Sequence, residues 1–407
     1  MNAKTSVLVA HPWMARGGSE AAAMWTVEAL QDDYDVTFVS ASVDSWADLN
    51  HAYGTKVDPE KIETRLAPRL PFATSELKLV ALQKRYFEKF CQKIAPDFDL
   101  CVSAYNPIDF GRPGIQLIGD FSFSEEMRRK LYIHSERQFH HRENFVRKLY
   151  LALANWIGGG PKRPLAERGD LVVANSEWTR ELLAEDFSVT ESPILYPPVI
   201  LPFIEDFQEI EKRPLSFVSL GRISPEKEIE KMIEILSRVR DEHDHPVTFS
   251  ILGHFDQSDY SREIRALAAS QADWITPHGF LAADEKQRLL AEHEFAIHGC
   301  RIEAFGIAVA EMASLGALPV VPASGGAREI VGFEELHYRA VDEAAKKISD
   351  LIENPWRTAE LRETVAREVH RFGPESFSRR LRELAADFTD AKRDRKTDAS
   401  KTHPTPV

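Results

Sequence analysis

Short apolar runs that end in glycine or a polar loop, each followed by an amphipathic stretch, recur along this chain in two separate series. In the first, Ser6–Ala10, Tyr34–Ser40, Leu100–Ala104, Gly114–Ile118 and Leu171–Ala174 read as buried strands. In the second, Leu215–Leu220, Val247–Leu252, Trp274–Thr276, Phe295–His298 and Leu318–Val321 do the same. Helical stretches stand between them, at 19–30, 76–94, 175–186, 228–241, 262–270 and 284–293 among others. Strands that alternate with helices form parallel sheets covered on both faces, and such sheets bind ligands at the carboxyl ends of their strands. A chain of 407 residues is too long for one ordinary core. The proline-stiffened run Ile194-Leu-Tyr-Pro-Pro-Val199 is a natural linker. We therefore expect an α/β protein of two doubly wound, Rossmann-like domains facing each other, at 1–197 and 198–372. A helix over Glu375–Asp387 and a disordered polar tail over 391–407 follow.

Composition narrows the function. A net charge of −13 argues against general nucleic-acid binding. Cys91, Cys101 and Cys300 form no metal or disulfide pattern and read as buried thiols in a reducing cytosol. Ser6–Ala10 follows a single Lys and reads as a first strand rather than a signal peptide. No apolar run reaches the ~20 residues that a membrane span requires.

The stretch Glu303–Val331, EAFGIAVAEMASLGALPVVPASGGAREIV, is the most informative. Phe305-Gly306 reads as a helix entrance, Ile307–Leu315 as the helix and Gly316 as its cap. The free N–H groups of Phe305, Gly306 and Ile307 would attract an anion, above all a phosphate. Glu303 would stand just outside that end. Glu311, two turns further in, is better suited to accept hydrogen bonds from sugar hydroxyls. A second turn, Ser324-Gly325-Gly326, opens another helix at Arg328.

Other candidates sit on loops after strands. Arg222 and Lys227, in Gly221-Arg-Ile-Ser-Pro-Glu-Lys227, would stabilise charge growing on a departing diphosphate. Gly17 and Gly18 follow the first strand without a GxGxxG pattern; they would let the backbone approach a phosphate or sugar. Asp97 and Asp99 imitate a DxD metal motif, but Pro96 before them and a strand after them favour a loop-to-strand entry.

From Met127 to Arg168 ten Lys or Arg oppose three acids. Within that segment FVRKLYLALANWI, Phe145–Ile157, mixes bases with aromatic and aliphatic residues. It reads equally as a helix lying on an anionic membrane surface or as a packing surface between helices.

These residues together resemble the retaining glycosyltransferases of family 4, which have the two-Rossmann-domain GT-B fold. The resemblance covers nearly the whole chain and is most specific in GRISPEK, in EAFGIAVAE and in ASGGAREIV. It implies that Arg222 and Lys227 bind the nucleotide diphosphate, that Glu303 contacts the donor sugar and Glu311 the ribose. The amides of Phe305, Gly306 and Ile307 would reach sugar and phosphates, and the backbone at Gly279-Phe280 would read the base. Gly17 and Gly18 would approach diphosphate and acceptor, and the last helix, 375–390, would cross back to the first domain. LVVANSEWTRELL and ILYPPV look like the branch of mannosyltransferases acting on lipid-diphosphate-linked oligosaccharides.

The implied reaction is metal-independent and needs no cofactor. A hexose such as mannose moves from a nucleotide sugar, GDP-mannose or a UDP-sugar, to a glycan or lipid-linked hydroxyl with retention of configuration. The implied place is the cytoplasm, with a possible peripheral position on the inner face of the membrane. In one respect the chain departs from the family. Many members carry a His after the strand ending at Ile118, where this chain has Gly119 and then Asp120. Either Asp120 takes over the polar contact, or the protein is a catalytically impaired binding or scaffold protein. His11 and His134 are the other candidates for the missing imidazole.

Overall fold

The computed structural model describes residues 4–14, 17–70, 79–132, 145–160, 162–200 and 210–401. Two six-stranded, wholly parallel sheets organise it, in the orders β3-β2-β1-β4-β5-β6 and β12-β11-β10-β7-β8-β9. The first comprises β1 (Ser6–Ala10), β2 (Asp35–Ser40), β3 (Ile62–Leu66), β4 (Leu100–Ser103), β5 (Ile115–Ile118) and β6 (Leu171–Ala174). The second comprises β7 (Arg213–Leu220), β8 (Thr248–Leu252), β9 (Ile275–Gly279), β10 (His293–Ile297), β11 (Leu318–Pro322) and β12 (His337–Tyr338). Their central strands are apolar on both faces, as strands covered by helices on both sides must be; β4, β5 and β11 are buried throughout.

Strand order reverses between β1 and β4 in one sheet and between β7 and β10 in the other. Loops leaving the carboxyl ends of those strands splay apart there and leave a crevice. Four loops are placed by this rule: those after β1, β4, β7 and β10. The last two carry Lys227 and Glu303.

The chain crosses between domains at two points that touch. Leu195 belongs to the first core and Val199 to the second, with Tyr196 between them packed on Phe305 and Phe372. The return crossing lies alongside, and the Val199 N–H donates to the Phe372 carbonyl at 2.8 Å. The final helix, Pro374–Lys401, then buries Phe377, Leu381, Leu384 and Ala385 in the first core.

Two features differ from the sequence reading. Residues 41–70, for which the sequence pattern indicates no element, hold a helix, Trp46–Tyr53, capped by Ser45, and the edge strand β3. The IETRL of β3 buries one residue fully, which is too little for an apolar signal. The final helix also continues to Lys401 through the segment expected to be disordered from 391. Its sequence has no Gly or Pro between Glu375 and His403, so nothing local stops it; residues 402–407 lie outside the described residues.

Candidate active site

A cleft of about 340 Å³ opens between the two domains. Its second-domain wall is built from the loops after β7 and β10: Arg222, Glu226, Lys227, Cys300 and the run from Ile302 to Ala308. Its first-domain wall includes Gly18, Tyr105, Gly119, Asp120, Tyr132 and Asn175.

At the centre, the Lys227 ammonium bonds the Glu303 carboxylate, Nζ to Oε2 at 2.5 Å. Both side chains are largely buried. Burial pushes the Glu303 carboxyl up, but Lys227 and then His298 outweigh it and hold it well below the usual carboxylate range. Burial likewise acts to lower the Lys227 ammonium, and Glu303 overrides it to leave a net rise. The buried His298 lies 3.2 Å from the same Oε2, and burial holds its imidazole below the ordinary value. His298, Cys300 and Glu303 are metal-ligand types with ligand atoms within 4.8 Å of one another. The cation on that carboxylate is, however, the Lys227 ammonium.

Beside this pair the helix Ile307–Ser314 begins. Gly306 takes a φ of 106°, a left-handed conformation that glycine supplies at little cost. Phe305 itself is core, packed on Tyr196 and Phe372, so only its backbone faces the cleft side. The structure thus brings together Lys227, Glu303, Phe305, Gly306 and Ile307, with Arg222 at the mouth. The Arg222 side chain is 81% exposed and pairs with Glu226 at 3.2 Å.

Three expected donor contacts stand apart from the cleft wall. Glu311 is ion-paired with Lys286 on the helix Ala283–Glu292. Gly279 ends β9 with a φ of 73°, and Phe280 after it is 81% exposed. Both lie at the sheet edge, two strands from the reversal point. Gly18 lines the cleft, and a side chain there would meet nothing within 4 Å. The Gly17 N–H is already bonded to the Tyr53 hydroxyl at 2.9 Å.

Across the cleft, Asp120 accepts from the Tyr105 hydroxyl at 3.0 Å, from Asn106 Nδ2 at 2.7 Å and from the Ser122 N–H at 2.8 Å. Asn106 Oδ1 in turn receives the N–H groups of Gly119 and Asp120, at 3.1 and 3.2 Å. The absence of a side chain at 119 has a steric cause. A Cβ there would lie 1.8 Å from the Tyr105 ring, which fills the space. Tyr105 and Asn106 were not singled out from the sequence. The available signal was their position directly after β4, on the reversal side of the sheet.

The two imidazole candidates fare differently. His11 is buried edge-on behind Tyr105, with ring centroids 6.5 Å apart, and is not part of the cleft wall. Burial takes its pKa down to about 4, with Glu20 opposing. His134 lies outside the described residues. Asp99 is structural: it accepts from the Ser6 N–H at 3.1 Å and hydroxyl at 2.9 Å, which ties β4 to β1.

The chain is similar to several known proteins. Residues 202–370 match the family model described as Glycosyl transferases group 1. Over 232 residues the chain is 25% identical to the GDP-Man:Man(3)GlcNAc(2)-PP-Dol alpha-1,2-mannosyltransferase of Dictyostelium discoideum. That match spans 51% of this chain and 45% of the relative, so the chain covers less than half of that protein's length.

Among solved structures, Anabaena Alr3699/HepE in complex with UDP and glucose aligns with a TM-score of 0.66 at 17% identity, over 94% of this chain and 100% of that one. The glycosyltransferase WaaG, involved in lipopolysaccharide biosynthesis, aligns at 0.64 and 13%, over 93% and 99%. Sucrose-phosphate synthase (tll1590) from Thermosynechococcus elongatus aligns at 0.67 and 13%, over 95% and 100%. The architecture is the two-domain GT-B fold.

Proposed function

We propose that this protein is a retaining glycosyltransferase. It would move a hexose, with mannose favoured, from a nucleotide-diphosphate donor to a hydroxyl of a glycan or lipid-linked acceptor. The observation that carries the reading is the Lys227–Glu303 pair, set beside the bare helix start at Phe305, Gly306 and Ile307 and opposite Asp120 across one cleft. A donor diphosphate offers Lys227 a second anionic partner. As the ammonium turns to it, the Glu303 carboxylate is freed to accept from a sugar hydroxyl. Charge growing on the leaving oxygen is then met by Lys227, by the helix-start amides and by Arg222 swinging in from the mouth.

No step in this scheme uses a metal or cofactor. Glu311, with Lys286 holding one of its oxygens, keeps the other to accept from a ribose hydroxyl. The acceptor hydroxyl enters from the Asp120 side. Asp120, held by the Tyr105 hydroxyl, offers a polar group next to the sequence position at which the resemblance expects an imidazole, and this supports an active enzyme over an impaired scaffold. GDP-mannose is the favoured donor, on the strength of the mannosyltransferase relative. UDP-sugars are the runner-up, since UDP and glucose occupy the Anabaena neighbour.

A lipid-linked acceptor would be met at a membrane surface. The helix Phe145–Ile157 presents Phe145, Leu149, Leu153 and Trp156 along one face, 80, 61, 45 and 75% exposed, with Lys148 beside them. Its other face is packed: Tyr150 accepts from the Ala81 N–H at 2.9 Å, Ala154 is buried and Arg147 pairs with Glu125. Such a stripe suits shallow insertion at an anionic interface, and among the described residues no helix is long and apolar enough to cross a membrane. The experiment that tests the reading is turnover of GDP-, UDP- and ADP-sugars by the full chain, with and without a lipid extract. Turnover of at least one nucleotide sugar is expected, and no binding or turnover of any of them would refute the reading.

A further inference from the structure

Glu329 belongs to the short second-domain helix Ala327–Val331, but its side chain is used by the first domain. Its carboxylate accepts from the backbone N–H groups of Glu177 at 2.9 Å and Trp178 at 3.1 Å. These open the helix Glu177–Phe187 of the first domain. It also accepts from the Tyr196 hydroxyl, on the interdomain crossing, at 3.2 Å. The first N–H groups of a helix have no partner within it, and a negative charge there is favoured by the helix dipole. Ser176 satisfies only the Thr179 N–H, at 3.0 Å. The cap of a first-domain helix is therefore completed by the second domain. Arg371 donates to the Glu329 carbonyl at 2.8 Å and steadies the base of this contact.

Both ends of the contact lead to the cleft. On the donor side, the Gly326 N–H donates to the Glu303 carbonyl at 2.7 Å. A Cβ at 326 would lie 2.2 Å from the Ala304 carbonyl, so the turn that opens Glu329's helix rests directly on the backbone carrying Glu303. On the acceptor side, Asn175 precedes the capped helix and donates to the Gly119 carbonyl at 2.9 Å. Gly119 is the neighbour of Asp120. Hydrogen bonds thus link Glu303 to Asp120 through Gly326, Glu329, the start of the Glu177 helix and Asn175. Glu329 is not itself part of the cleft wall.

We propose that Glu329 is a positioning residue, which sets the registration of Asp120 against the Lys227–Glu303 pair across the cleft. Its part in transfer rests on the glycosyltransferase reading above; its hold on the two domains does not. Spin labels at Glu60→Cys and Ala272→Cys, one exposed position in each domain, report the interdomain distance. The three native thiols are buried and remain unlabelled.

In Glu329→Ala the distance distribution broadens. Transfer with the donor found in the panel above falls at least tenfold, and calorimetric affinity for the matching nucleoside diphosphate stays within threefold of the parent. Glu329→Gln, which keeps one acceptor oxygen and the side-chain volume, gives an intermediate result and serves if the alanine variant does not fold. An unchanged distance distribution in a folded variant overturns the proposal, as does donor affinity that falls in step with transfer. If the parent itself binds no nucleotide sugar, the functional reading fails, and the label distances still decide whether Glu329 fixes the domains.

Discussion

Replacing Lys227 by Met removes the cation from a pair that is about four-fifths buried on both sides. Breaking such a pair leaves an uncompensated buried carboxylate, a change of about 3–5 kcal/mol when the group cannot adjust. Glu303 can adjust by taking up a proton, so the cost depends on pH. In the parent the folded carboxyl lies well below its ordinary 4.5. Its contribution is therefore complete above that value and lost only as pH falls into the strongly acid range. In Lys227→Met His298 alone is left to oppose burial, and the folded carboxyl is expected to rise above 4.5. The penalty is then absent below about pH 4.5 and grows by about 1.4 kcal/mol per pH unit until the raised pKa is reached.

Urea unfolding followed by tryptophan fluorescence, with Trp274 buried in the second domain, measures the difference. We expect the variant to lose about 2–4 kcal/mol more stability than the parent between pH 4.5 and pH 7.5. Transfer should fall by about 10²–10³, the usual loss when one preorganised charge at a leaving group is removed. Adding Glu303→Gln should restore most of the stability and none of the turnover. A stability difference independent of pH would refute the electrostatic account. Turnover within tenfold of the parent would refute the role assigned to the ammonium.

Two further outcomes follow from the geometry. Gly119→Ala forces a Cβ into the Tyr105 ring and should lower stability by about 1–3 kcal/mol, read as a drop in melting temperature; a neutral result would mean the ring is not held there. Leu149→Glu with Trp156→Glu alters only exposed positions, so melting temperature should hold while flotation with anionic phospholipid vesicles is lost; undiminished flotation would remove this face as the contact.

Much of the second domain was legible in the sequence because its signals are local. The helix start at Gly306, the strand β11 and the Gly325-Gly326 turn occupy fewer than thirty consecutive residues, each with its own propensity. Lys227 and Glu303 were readable as separate motifs; their contact follows from the reversal of strand order between β7 and β10. What escaped notice depends on residues far apart in the chain. Nothing near Gly119 says that Tyr105 fills its space, because that follows from β4 lying beside β5. Glu329 meets Glu177 across 152 positions, and no local pattern marks it. Ion pairs were hidden for a related reason. Lys286 reads as an ordinary base until the fold sets the Glu311 carboxylate beside it.

The last helix carries a consequence for how the chain is made. Residues 377–385 complete a core whose other members begin at Val7, so the first domain cannot close until the second has been synthesised. Domains usually mature from the N-terminus as they emerge. Here the second core takes its last member at Phe372, before the first receives Phe377, so the second domain has its whole core while the earlier-made half still has an open flank. The half translated first is the half finished last.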